Sequence, residues 1–139
     1  MDRFVRMVSG RWLAAGILAA FLAGCAGWLG IDVVRSPMTP VDDAQATVIQ
    51  IEGTLTLTLD NGITRTIERG THWKLVGSIV EGKVYRPLDG EFTIEGHEPV
   101  SAYLVISSGQ LVGFFLPVEE GFSPLFKRVS VSFVPSRKG

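Results

Sequence analysis

Few residues in this 139-residue chain have the type and spacing for covalent or metal chemistry. The single cysteine, Cys25, excludes an intrachain disulfide and a zinc site built on paired cysteines. The two histidines, His72 and His97, lie beside expected strand ends. A hydrolytic triad needs an imidazole held between a serine and a carboxylate, and no Gly-x-Ser-x-Gly elbow exists to present the serine. In "EGHE", Glu95 and His97 share one face of an extended strand, with Glu98 beside them. Two such ligands fall short of the three or four that a metal site requires, and Gly96 and Pro99 mark a turn. "PLDGE", residues 87–91, lacks the ligand density of a calcium loop and reads as a Pro-Gly turn. Glu119 and Glu120 are neighbours that an extended strand would point to opposite faces, and they too read as a turn. The expectation is a non-catalytic protein with no metal and no diffusible cofactor.

The N-terminus offers a different chemistry for Cys25. Arg3, Arg6 and Arg11 form a basic start with Asp2 as its one acid, followed by the apolar run "WLAAGILAAFL", residues 12–22. As a helix, that run is roughly 16 Å long, about half of a bilayer core and the size of a signal-peptide core. Leu22-Ala23-Gly24-Cys25 completes the segment. This stretch resembles the lipobox of bacterial lipoproteins: a branched aliphatic residue, two small residues and a cysteine. The resemblance covers about the first 25 residues and does not extend to the domain beyond them. It implies a diacylglycerol on the Cys25 thiol, cleavage before Cys25 directed by Leu22, Ala23 and Gly24, and acylation of the new amine. Two or three acyl chains hold a protein stably on a membrane where one does not. Ala26, where an Asp would signal inner-membrane retention, implies the outer membrane, with the domain facing the periplasm. The alternative is an uncleaved N-terminal anchor, because residues 12–31 carry no charge.

The charges are sparse, 19% of residues with a net charge of −1, so no field draws the chain to nucleic acid. Removing residues 1–24, with three arginines and one aspartate, takes the net charge from −1 to −3. Residues 25–44 contain Pro37, Pro40 and paired acids without periodicity, and read as a flexible tether. Trp28 and Leu29 suit the membrane interface, and Ile31, Val33 and Val34 equally suit packing on the domain.

From residue 45 to 139 the pattern is β throughout. "TLTLTLDNGITRTI" places Leu55, Leu57 and Leu59 on one face and Thr54, Thr56 and Thr58 on the other, with a turn at Asp60-Asn61-Gly62. "VSAYLVISSGQLVGFFLPV" forms a second hairpin about Ser108-Gly109, with an arm apolar on both faces and a bulge signal at Gly113. Val129, Val131 and Phe133 alternate with serines near the end. These runs predict an all-β domain of six to eight short strands, a small antiparallel barrel or a two-sheet sandwich.

"LPVEEGFSPLFKR" breaks the pattern, with Phe122, Leu125 and Phe126 among Pro, Gly and Ser in an expected loop. Such a loop either plugs the end of the barrel or contacts a partner, with Lys127 and Arg128 beside it. The functional expectation is a binding or structural accessory of an envelope assembly, with Phe122, Leu125, Phe126 and Arg128 as candidate contacts for a protein partner. The alternative is a small periplasmic inhibitor or ligand-binding barrel, with Trp73 or Tyr103 lining its cavity.

Overall fold

A computed structural model describes residues 32–59, 61–95 and 99–136. The leader, Cys25 and the His97-Glu98 pair lie outside the described residues. The strands in chain order are Val34–Arg35 (β1), Thr39–Pro40 (β2), Val48–Ile51 (β3), Leu55–Thr58 (β4), Thr64–Ile67 (β5), His72–Ile79 (β6) and Gly82–Pro87 (β7). They continue as Thr93–Glu95 (β8), Pro99–Ser101 (β9), Tyr103–Ser107 (β10), Gln110–Leu116 (β11), Gly121–Ser130 (β12) and Phe133–Ser136 (β13). Every pairing among the described residues is antiparallel.

The main sheet runs β3-β6-β7-β10-β11-β12, and it closes because β12 continues into β13. Gln110 still pairs with Ser130, and Val131 N–H donates to the Gly109 carbonyl. Glu52 N–H then donates to the Ser132 carbonyl, and Phe133 pairs with Ile51. One continuous segment thus leaves β11 for β3 within two residues, making a hydrogen-bonded ring. Closure satisfies backbone groups that an open edge would expose.

The alternation along the central strands builds two apolar clusters. Trp73, Leu75, Tyr85, Leu104, Ile106, Phe114 and Leu116 belong to the larger one. Val84, Val105, Val112, Phe115 and Phe122 belong to the smaller one, on the other face of the same strands. This explains why β11 is apolar on both faces. The small hairpins complete the larger cluster: Leu57, Leu59 and Ile67 enter from β4–β5, and Ile94 from β8. The Trp73 indole N–H donates to Thr71 Oγ1 at 3.0 Å, so its burial leaves no orphaned donor.

Both expected hairpins are present. Ser108 and Gly109 have φ of 52° and 76°, the two left-handed positions of a tight hairpin turn. At the other, Gly62 has φ 87° and Asn61 Oδ1 accepts from Ile63 N–H at 3.1 Å. The all-β antiparallel expectation holds, with thirteen strands among the described residues rather than six to eight, four of them (β1, β2, β8 and β9) only two or three residues long. Residues 32–44, the described part of the segment read as a tether, lie on the sheet, and Val33 takes the packed one of its two alternatives. Strand β1 pairs with β12 and β2 pairs with β6, while Val33 packs on the larger cluster and Met38 on the smaller. Two residues per strand are too few to show a period, and Pro40 of β2 is tolerated at an edge.

Gly113 sits at the irregularity between β11 and β12, where a Cβ would meet the Phe122 ring at 2.7 Å and also strike the Ser123 carbonyl. Overpacking of this kind costs about 1–3 kcal/mol. Gly113→Ala is therefore expected to lower the urea midpoint with an unchanged m-value, while Gly53→Ala, which meets nothing within 4 Å, leaves it equal or higher. Equal midpoints for the two variants would refute the close approach.

Candidate functional site

The segment expected as a loop is strand β12, and this divides the four candidate contacts. Phe122 and Leu125 are buried in the smaller and larger clusters respectively. Phe126 is 74% exposed, and Arg128, two residues on and so on the same face, is exposed as well. The prolines and glycines misled the reading for a local reason. Pro124, which has no N–H, falls at the register shift opposite Gly113. Gly121 leaves room for the Val33 side chain of the docked strap. Of the four, Phe126 and Arg128 thus stay available to a partner.

His72 begins β6 and meets Asp89 in the turn after β7. Its backbone N–H donates to Asp89 Oδ2 at 2.7 Å, and its Nδ1 lies 2.8 Å from the same oxygen. An ionised carboxylate only accepts, so Nδ1 is the donor. Leu88 N–H donates to the His72 carbonyl at 3.0 Å, so this contact pins the turn to the strand. The imidazole holds a turn in place. Glu95 lies on β8, and its grouping with His97 and Glu98 lies outside the described residues.

An open groove of about 540 Å³ lies between the end of β7, the β8–β9 hairpin, β10 and the turn after β11. Arg86, Glu91, Phe92, Tyr103 and Val118 line it. Phe92 is held from behind: its ring centroid is 5.7 Å from both Trp73 and Phe114, and the Arg65 guanidinium lies 5.1 Å above it. Tyr103 packs against Phe115 at 6.3 Å. Of the two aromatics expected at a ligand cavity, Tyr103 therefore lines a groove outside the ring, and Trp73 is in the core. No local pattern could have revealed this groove, because residues 86–92, 101–103 and 117–118 build it jointly.

A second cavity of about 300 Å³ opens beside the turns of β6–β7 and β10–β11, lined by Ile79, Lys83, Tyr85, Ile106, Ser108 and Phe133. Burial raises the Tyr85 hydroxyl above its ordinary pKa of 10.0 by disfavouring the phenolate. Compared with protein-family models, characterised proteins and solved structures, the chain gives no significant match in any of the three.

The Tyr85 shift has a stability consequence. Below pH about 10 the phenol is protonated in both folded and unfolded chains and contributes nothing. Above it the unfolded chain loses its proton first, so stability falls as pH rises toward the folded value. Urea midpoints measured from pH 9 to 12 (roughly the span of that titration) should fall more steeply for the native chain than for Tyr85→Phe. Parallel curves would contradict a phenol shielded by burial.

Proposed function

We propose that the chain is a bacterial envelope lipoprotein, held through a lipid on Cys25 and acting as a non-catalytic binding module. The Leu22-Ala23-Gly24-Cys25 motif, behind a basic start and an apolar run of eleven residues, carries this reading. Ala26 favours the outer membrane, with the β domain in the periplasm. The contact surface is the outward face of β12, where Phe126 is a large exposed aromatic with Arg128 beside it. Aromatic and arginine side chains dominate binding energy at protein interfaces, and anchoring keeps a module concentrated near partners in the same membrane. A second reading, a small-ligand module, is favoured by the groove under Phe92 and Tyr103.

Radioactive palmitate fed to cells should label the native protein and not Cys25→Ser, and label persisting in that variant would overturn the anchor. A photo-crosslinking residue at position 126 tests the binding face. Phe126→Ala and Arg128→Ala should each weaken capture of the crosslinked partner about tenfold, the loss expected of about 1.4 kcal/mol at an interface. Circular dichroism should be unchanged, because both side chains are exposed. Phe122→Ala, by contrast, should cost about 3–5 kcal/mol of stability. Unchanged capture by both exposed variants would exclude this face.

A further inference from the structure

The strap formed by β1 and β2 does more than complete the sheet, because Ser36 between them fastens two turns. Its N–H donates to the Glu120 carbonyl at 2.9 Å, in the turn between β11 and β12. Its Oγ donates to Glu81 Oε1 at 2.6 Å, in the turn between β6 and β7. Each turn carries a valine that the fold leaves in water: Val80 is 97% exposed and Val118 is 82% exposed. The strap itself adds Val34, 58% exposed, two residues before Ser36. Three exposed valines thus border one stapled point of the chain.

The length of chain leading to that point says what covers them. Eight residues, 26–33, separate Cys25 from β1, and fully extended they reach at most roughly 30 Å. Since β1 is held in the sheet beside β12, a lipid on Cys25 would hold this part of the domain within that distance of the bilayer. We infer that the face around Ser36, with Val34, Val80 and Val118, rests on the lipid surface in which Cys25 is anchored. The inference depends on the lipoprotein reading and adds an orientation to it.

The charges at this face choose the kind of lipid. Asp32, Glu81, Glu119 and Glu120 outnumber Arg35 and Lys83 along these segments. Glu120 is paired with Arg35 at 3.7 Å, Glu81 accepts from Ser36, and one carboxylate oxygen of Glu119 is turned inward. Apolar contact with a zwitterionic surface is therefore favoured, and anionic headgroups are not attracted.

The test uses the full-length lipidated protein in vesicles of phosphatidylethanolamine and phosphatidylcholine. With Cys25 acylated, Val80→Cys, Val118→Cys and Val134→Cys each supply one reactive thiol for an environment-sensitive fluorophore. Val134 on β13, also partly exposed, serves as the apolar comparison. Labels at 80 and 118 should be blue-shifted and quenched several-fold more by spin-labelled lipid than the label at 134. Phosphatidylglycerol should not increase that difference. Equal quenching at the three positions, with the lipid present on Cys25 by intact mass, overturns the orientation and leaves the anchor standing. An unmodified Cys25 overturns both.

Discussion

Between the pairing of Ser130 with Gln110 and that of Phe133 with Ile51, the chain has two residues in which to leave one neighbour and join another. Val131 and Ser132 do this without wasting their backbone groups, the first donating to the Gly109 carbonyl and the second accepting from Glu52. The architecture depends on this exchange. Without it, the sheet would end in open edges at β3 and β12, and the larger cluster would lack the wall that Val131 and Phe133 supply. A small domain with no disulfide needs a continuous core, and a closed sheet is an economical way to obtain one.

Much of this was legible where a single strand pair carries its own signal. Thr-Leu alternation marked β4, Asn61-Gly62 its turn, Ser108-Gly109 the second turn, and the two-faced apolar run β11. What escaped was set by distant partners. The strap has no periodicity of its own, and its two short pairings exist because β12 and β6 offer free edges beside it. Strand β12 looked like a loop because Pro124 and Gly121 are loop residues in isolation. Both are accommodated by β11 and Val33, which lie elsewhere in the chain. The candidate contacts split for the same reason: Phe122 is covered by the smaller cluster and Leu125 by the larger, while Phe126 and Arg128 lie in the stretch between Pro124 and Val129 that has no partner on β11.

The surface left by these packing choices is poor in reactive chemistry and specific in its shapes. His72 and Asp89 are engaged in holding a turn, and the aromatic side chains divide between core, groove and the outward face of β12. Under the proposed function, such a domain would act through where it is and what it touches. The proposed lipid on Cys25 supplies the first, and Phe126, Arg128 and the groove under Phe92 supply the second. A position fixed by a short leash and a docked strap would give these surfaces a constant direction relative to the membrane, which a loose tether would not.

The strap also dictates an order in time. Residues 34 and 35 leave the ribosome among the first of the domain, yet their partners, Phe122 and Gly121, are among the last. Phe133 likewise waits to meet Ile51, made long before it. Neither closure can form before β12 and β13 have been made, and contacts so distant in sequence assemble slowly. The ring therefore stays open until β12 and β13 have been made. The domain's earliest segment is then among the last to lock.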